Sequence, residues 1–452
     1  MSALAHLASR NTEKYPDLIE GGNRILQLPD GTPFAVDVIV SHAPAGQVGY
    51  DIQGGDLNAD LVSLKIMRHH PSKPLSNDDD DDDDHDEEHD FLDYAKAVFE
   101  LAPPCPPYPN PASEPDDNTL ATRSKRFAYA NLHKASHLNA AKVWSFIYAF
   151  FQLWPAQEYF SLCTLDLKPG VVAHLVDSGL ATVHPLFKSA DGGKLDYLLV
   201  SRAAFWQGRG LTANLAHWVL PKAAPLARSK LLSSNASLGS LPPTKPSPED
   251  GPLYSRYIPD LQQTLTFRVV SSKNARDIDL ITQWHDSDRV NEGWRQRGSR
   301  EDQLKDVQKM EANPYSLGLI GEWDGEPWGY VEVYYAKQSN LRDQYDASIR
   351  DRGFHALVGN EKFRGPHRVR SWMGSLVHLM FLLDPQTDLC VSEPRLSNTK
   401  MVEYECMVGG HVEKFIDFPH KRAALVFFPR HRFFQLCPLQ PLPEHLRSPV
   451  SK

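Results

Sequence analysis

A mixed α/β (α+β) fold is expected, on three observations. Ser316–Glu322 and Pro327–Lys337 are two alternating apolar runs joined by Asp324-Gly325, a pair that tolerates positive φ and closes a tight hairpin. Asp351-Arg-Gly-Phe-His355-Ala-Leu-Val-Gly359-Asn-Glu-Lys-Phe-Arg-Gly365 reads as a strand that runs into a glycine turn and opens a helix. Beyond it, helical and strand-length apolar segments alternate to about Pro429.

The 452 residues are too many for one ordinary core, so two domains are expected. In the first, Arg24–Leu28 and Pro33–Val40 alternate around Pro29-Asp30-Gly31 as a hairpin, Gly46 to Leu57 is turn-rich, and Leu61–Arg68 is a further strand. Phe91–Glu100 reads as a short helix, Pro103–Pro115 as a connector and Leu132–Leu153 as a heavily apolar helix. Leu195–Ser201 reads as a strand, followed by Arg202-Ala-Ala-Phe-Trp-Gln-Gly. Arg202, Trp206 and Gln207 could reach a ligand, although tryptophan more commonly packs in a core. A Ser, Pro, Lys and Gly composition marks residues 226–252 as a linker, dividing an N-terminal domain (1–225) from a C-terminal one (253–452).

In the second domain Leu265–Val270 is expected as the first strand and Ala275–His285 as the first helix. After the hairpin and the glycine-turn strand come a helix at Trp372–Leu383, a strand at Asp388–Ser392 and a helix at Ser397–Val408. Ser397 is the expected N-cap of that helix and Gly409-Gly410 its stop. Strands His411–Phe418 and Arg422–Pro429 close the order.

Composition narrows the function. An apolar fraction of 41% with 23% charged residues describes a globular protein. The net charge is −9, but the eleven acids of Asp78–Asp90 more than account for it and the rest carries +2, which gives no basic surface for nucleic acid. That block, in the loop 77–90 with His85 and His89, is a solvated, self-repelling stretch; carboxylates without fixed geometry bind divalent ions only loosely. The longest apolar run, Val143 to Ala156, is too short for a membrane span and contains Pro155. Five unpaired-looking cysteines fit a reducing compartment, and the N-terminus lacks a secretion signal. A cytoplasmic protein is expected, with the peroxisome as the alternative, because Ser451-Lys452 stops one residue short of a Ser-Lys-Leu tail.

For chemistry, a strand ending in a glycine turn at a helix N-terminus presents free backbone N–H groups and a helix dipole to phosphate. Phe363-Arg364-Gly365-Pro366-His367-Arg368 supplies those donors, with charge from Lys362, Arg364 and Arg368. A basic loop capping a surface helix would look the same. There is no metal-ligand spacing, no Gly-x-Ser-x-Gly and no cysteine motif.

Other stretches carry a family resemblance. These are Trp284-His285-x-x-x-Arg289-Val-x-x-x-Trp294, Gly329-Tyr330-Val331-Glu332-Val333-Tyr334-Tyr335-Ala336 and Asp351-x-Gly353-x-His355. Arg364-Gly365, Glu393-Pro394-Arg395-x-x-Asn398 and Phe418-Pro419-His420-Lys421-Arg422-Ala423-Ala424-Leu425 follow. Over roughly Tyr254 to Phe434 the chain resembles the siderophore-biosynthesis acyltransferases of the GCN5-related N-acetyltransferase (GNAT) superfamily, most closely the fungal enzymes that acylate N5-hydroxyornithine. Arg202-Ala-Ala-Phe-Trp-Gln-Gly resembles their non-catalytic N-terminal domain, itself similar to a degenerate copy of the fold.

The resemblance implies two GNAT-like domains with the C-terminal one catalytic, acyl-CoA as co-substrate, N5-hydroxyornithine as acceptor and a hydroxamate as product. It places the catalytic aspartate at Asp351. The proton would go either to Asp351 or to His355 with Asp351 orienting its ring, the two lying i, i+4 on one strand. His285, Arg289, Trp294 and Glu332 would bind the acceptor, His285 or Arg289 through its carboxylate and Glu332 through its α-amine. Ala356, Leu357, Phe363, Arg364, Gly365, His367, Arg368 and Asn398 would hold the cofactor. Three positions depart from the family: Lys362 and His367 replace the usual ends of the phosphate turn, and Glu405 stands where many relatives have a thiolate-protonating tyrosine. The acyl group is acetyl or a longer anhydromevalonyl-type unit, with the longer one favoured; bulk around Trp328, Tyr330, Trp372 and Met373 would favour acetyl. The rivals are a GNAT enzyme acting on an aminoglycoside or lysine amine, and a non-catalytic binding module. Partners beyond small molecules, and the oligomeric state, are not given by the sequence.

Overall fold

A computed structural model describes residues 22–29, 31–42, 60–68, 95–100, 128–132, 135–153, 155, 157–184, 197–212, 218–219 and 244–440. The acidic loop, the Pro103–Pro115 connector, the turn-rich stretch after Gly46, the linker up to residue 243 and the Ser451-Lys452 end lie outside them. The described residues form two compact units, divided between Leu215 and Ala216.

The described residues of the N-terminal unit form eight strands: β1 (Gly22–Gln27), β2 (Pro33–His42), β3 (Asp60–Arg68), β4 (Ala95–Glu100), β5 (Ala128–Leu132), β6 (Tyr159–Cys163), β7 (Ala181–Val183) and β8 (Tyr197–Ser201). Their order in the sheet is β1-β2-β3-β4-β5-β6-β8-β7. All neighbours are antiparallel except β5 and β6, whose parallel pairing needs a crossover. Helix α1 (Ala140–Leu153) supplies it, and the other α-helices among the unit's described residues are α2 (Pro169–Asp177) and the short α3 (Arg202–Trp206).

Two expectations are corrected in this unit, and the choice left open for Trp206 falls to the core. The segment ending at Glu100 is a strand from Ala95, because its backbone pairs with β3 from Ile66↔Ala95 to Leu61↔Glu100 and that ladder overrides helix-favouring Ala and Lys. The helix expected from Leu132 starts at Ala140, where the Asn139 side chain accepts the Lys142 N–H at 2.9 Å. Trp206 is core: it is fully buried, and Arg202 turns inward to donate to the Pro155 carbonyl at 2.7 Å.

The C-terminal unit repeats the same strand order. Its strands are β9 (Pro252–Ile258), β10 (Gln263–Val269), β11 (Ser316–Trp323), β12 (Glu326–Tyr335), β13 (Arg352–Val358), β14 (Leu389–Ser392), β15 (His411–Phe418) and β16 (Lys421–Pro429). The sheet runs β9-β10-β11-β12-β13-β14-β16-β15 and again only one pair, β13 and β14, is parallel. Its helices are α4 (Ala275–Asp286), α5 (Asp288–Trp294), α6 (Arg300–Ala312), α7 (Pro366–Leu383), α8 (Thr399–Met407) and α9 (Arg430–Leu436). Helix α7 is the crossover between the parallel strands, and its buried Trp372, Met373, Leu376 and Met380 pack one face of the sheet.

The glycine-turn hairpin is as expected, with Asp324 and Gly325 at φ of 48° and 80°. The expected linker is ordered at its end: a 3-10 turn forms at Pro248–Asp250, and β9 begins at its last residue, Pro252, and runs along the sheet edge with Leu253, Tyr254, Tyr257 and Ile258 buried. Lys245 is also anchored, its ammonium donating to the Met310, Glu311 and Asn313 carbonyls at the C-terminus of α6. Helix α8 starts at Thr399 because Asn398, not Ser397, caps it by accepting the Met401 N–H. Helix α7 starts at Pro366, six residues before the expected Trp372, since Gly365 at φ 125° turns the chain directly into it. Among the described residues no helix is long and apolar enough to cross a membrane.

Candidate active site

Strand β13 organises the site. It pairs with β12 along its whole length, Arg352↔Tyr335 to Val358↔Gly329. Its pairing with β14 stops after Arg352↔Cys390 and Gly353↔Val391. From Phe354 onward β13 therefore has an open edge where its parallel neighbour diverges, and unpaired strand amides there can hydrogen-bond an extended ligand. Gly353, where pairing ends, has no room for a side chain: a Cβ would stand 2.3 Å from the Tyr334 ring.

At the far end of that edge the chain passes through the short turn Glu361–Phe363 to Gly365 and into α7. Among the described residues no acceptor pairs with the amide N–H of Gly365 or His367, so two donors at the start of α7 are left for a ligand. The His367 ring folds back over Gly365, where a Cβ would meet it at 2.7 Å. The surrounding cations are engaged already. Lys362 bridges Glu326, Arg364 bridges Glu361 at 2.8 Å, and Arg368 lies over the Trp323 and Phe363 rings while donating to Gln263. Phe363 is buried beneath them. Ala356 and Leu357 lie on the open stretch of β13, and Asn398 caps α8.

Beside β13, the face of β12 carries Tyr330, Glu332 and Tyr334. The ladder shifts register between Gly321 and Glu322, leaving Trp328 as an extra residue in β12. Trp328 packs on Trp372 of α7, ring centroids 5.2 Å apart, away from the Tyr330 side. Trp328, Trp372 and Met373 thus fill the core, so their bulk does not select the acyl group as the sequence suggested.

His355 pairs across the ladder with Glu332. Its Nδ1 lies 3.2 Å from Glu332 Oε2 and its Nε2 lies 2.8 Å from Glu393 Oε1. Glu393, just past β14, is itself fixed: Tyr334 Oη donates to its Oε2 at 2.8 Å, and Lys421 reaches Oε1 at 3.5 Å. Burial acts to lower the His355 pKa, but Glu393 and Glu332 outweigh it and raise it from 6.5 to about 10. Burial would raise Glu393, yet His355, Lys421 and Tyr334 hold it at about 2. The free protein thus holds an imidazolium between two carboxylates.

Asp351 does not orient this ring. Its carboxylate accepts from Tyr345 Oη at 3.0 Å and from the Ser348 N–H at 2.9 Å, closing the turn before β13, and burial raises its pKa. Four extended residues put it roughly 13 Å along the strand from His355. Glu393, quoted only within a motif, takes the orienting place. What betrays it is position, one residue beyond β14, which the sequence shows only once the strand order is known.

His285 and Trp294 join the cluster: the Trp294 ring lies 5.4 Å from His285, 6.0 Å from Tyr330 and 6.1 Å from His355. His285 Nδ1 is 2.7 Å from Gln303 Oε1, whose amide group donates onward to the Gln296 carbonyl. That orientation puts the proton on Nδ1 and leaves the buried Nε2 as a bare acceptor without a partner. Burial lowers the His285 pKa. A neutral acceptor does not bind a carboxylate, so that expected role is corrected. Arg289 is also elsewhere, stapling α5 to the end of β13 and the turn after it through the Val358 carbonyl at 2.8 Å and Glu361 Oε1 at 2.6 Å.

Glu405 is buried on α8 with Ser392 Oγ donating to it at 2.7 Å. Burial raises its pKa from 4.5 to about 8, so it is an uncharged acid at neutral pH. No group of His, Cys, Asp and Glu among the described residues is arranged to hold a metal ion.

Comparison with known proteins agrees with this geometry. Residues 273–418 match the acetyltransferase (GNAT) domain family. The N(5)-hydroxyornithine:cis-anhydromevalonyl coenzyme A-N(5)-transacylase of Beauveria bassiana is 34% identical over 72% of this chain and 79% of that protein. A hydroxyornithine transacylase of Ajellomyces capsulatus is 31% identical over 77% and 84%. The N(6)-hydroxylysine O-acetyltransferase of Escherichia coli is 31% identical over 54% and 73%. By these similarities the chain belongs to the GNAT family of acyltransferases, with acyl-CoA as its co-substrate.

Proposed function

We propose that the protein transfers the acyl group of an acyl-CoA to the hydroxylamine nitrogen of N5-hydroxy-L-ornithine, forming the hydroxamate used in siderophore assembly. The observation that carries this reading is His355, held by Glu393 at the open edge of β13. The pantetheine arm would lie along that edge past Ala356 and Leu357, with the phosphates on the Gly365 and His367 amides and Arg364 nearby. A hydroxylamine nitrogen is largely uncharged near neutral pH, so the work left to the protein is positioning, carbonyl polarisation and acceptance of one proton. The nitrogen attacks the thioester carbon, its N–H proton goes to His355, a C–N bond forms, and the C–S bond breaks to release the CoA thiolate. Glu332 would receive the α-ammonium and Trp294 would cover the acceptor's carbon chain.

For the donor we favour an anhydromevalonyl-type group, which the name of the Beauveria relative supports. The N-terminal unit is read as a non-catalytic copy of the GNAT fold, a reading that its matching strand order supports. The test is a panel of acyl-CoA donors with N5-hydroxy-L-ornithine, read as iron-chelating product. Coloured ferric hydroxamate with an anhydromevalonyl or acetyl donor supports the reading. Transfer to lysine or an aminoglycoside at equal or greater rate overturns it.

A further inference from the structure

The two carboxylates that clamp His355 are unequal. Glu393 leaves 8% of its side chain exposed and is pinned by Tyr334 and Lys421, whereas Glu332 leaves 19% exposed. Glu332 also holds its side of the ring by the longer contact, 3.2 Å against 2.8 Å, and its other oxygen receives only a 3.3 Å bond from Tyr330 Oη. The ring itself is 42% exposed, so a ligand can reach it. A doubly clamped imidazolium has no lone pair with which to accept a proton.

Resting on the substrate reading above, we propose that the acceptor arms its own proton acceptor: its ammonium group takes the Glu332 carboxylate from His355, and His355 then gives up its Nδ1 proton to solvent. Glu393 keeps Nε2–H in place, so the freed Nδ1 faces the attacking nitrogen with a lone pair. One proton leaves the protein on binding, and His355 takes up one from the nitrogen after attack. An empty site therefore holds no active base beside the thioester, which disfavours hydrolysis by water.

The charged and titratable groups around the ring fit this exchange. Tyr330 and Tyr334 on β12 are raised well above ordinary tyrosine by burial and by the neighbouring carboxylates, and so stay neutral. Lys421 on β16 serves Glu393, not Glu332. His285 on α4 is neutral, and Asp306 on α6 adds negative potential on the Glu332 side, which favours an incoming cation. Glu405 on α8 is coupled to Glu393 and Lys421.

The test is calorimetry of N5-hydroxy-L-ornithine binding at pH 8 in buffers of different ionisation enthalpy, paired with NMR titration of histidine-labelled protein, the His355 signal being identified by its loss in His355→Asn. The proposal expects release of about one proton on binding and a His355 that turns neutral in the complex. It expects no release with the analogue lacking the α-amine, and a free-protein His355 in Glu332→Gln that titrates lower than in the parent protein. Binding and turnover without proton release, or a His355 that stays protonated in the complex, overturns the proposal while leaving the substrate reading intact. Absence of binding and of turnover overturns both.

Discussion

Glu393 Oε1 stands 2.8 Å from His355 Nε2, and Tyr334 and Lys421 hold that carboxylate from the other side. A histidine fixed at one nitrogen presents the other in a single orientation, which is the geometry of a positioned proton acceptor. Glu393→Gln keeps the hydrogen-bonding shape but removes the charge that stabilises the imidazolium formed on proton transfer. It is expected to lower kcat by about 10²-fold or more with acyl-CoA affinity unchanged. Adding His355→Asn should cost little beyond either change alone, because the pair acts as one unit; steady-state kinetics of the double-mutant cycle measures this.

Asp351 is expected to matter for folding instead. Asp351→Ala leaves the Tyr345 hydroxyl and the Ser348 N–H without their acceptor, which costs about 1–3 kcal/mol for each group that stays buried. Denaturant unfolding should show that loss while kcat of the folded protein stays within about threefold. A large fall in kcat with unchanged stability would return Asp351 to the chemistry.

Glu405 sets a pH dependence of stability. Its folded pKa, about 8, lies above the ordinary value of 4.5, so the folded state binds the proton more tightly than the unfolded state. Stability from this group is complete below about pH 4.5 and falls as pH rises towards 8. Glu405→Gln removes the titration while still accepting from Ser392 Oγ. Thermal melts should therefore show the variant gaining on the parent protein between pH 5.5 and pH 9, by roughly 2 kcal/mol or more. A gap independent of pH would contradict the assignment.

The turn at Gly365 is the seat expected for phosphate. At φ 125° it excludes other residues, and a Cβ would press on the His367 ring at 2.7 Å. Gly365→Ala should raise KM for acyl-CoA about tenfold, by strain of roughly 1–3 kcal/mol, with kcat little changed. Acyl-CoA titration of the rate checks the split.

Local signals placed most of the C-terminal elements within a few residues: the Asp324-Gly325 turn, the Gly365 entry to α7 and the Gly409 stop each carry their own backbone chemistry. Strands such as β4 and β9 are not legible, because β4 is built largely of Ala and Lys and owes its state to pairing with β3, while β9 follows directly on the linker-like composition. Helices α5 and α6 went unread too, although Ser299 and Asp302 form a capping box at the start of α6. In the site, spacing along one strand suggested Asp351 as the partner of His355. The actual partner comes from across the diverging strand pair, 38 residues away, a distance that only topology closes.

The central claim is that His355, beside an acyl-CoA seated along β13, accepts the proton of the attacking hydroxylamine. Single-turnover transfer from bound acyl-CoA to N5-hydroxy-L-ornithine, compared between the parent protein and His355→Asn, tests it most directly. The account predicts a rate lower by about 10²–10⁴-fold with acyl-CoA dissociation constants within threefold. Transfer at the full rate by His355→Asn, with acyl-CoA bound as tightly, would contradict it.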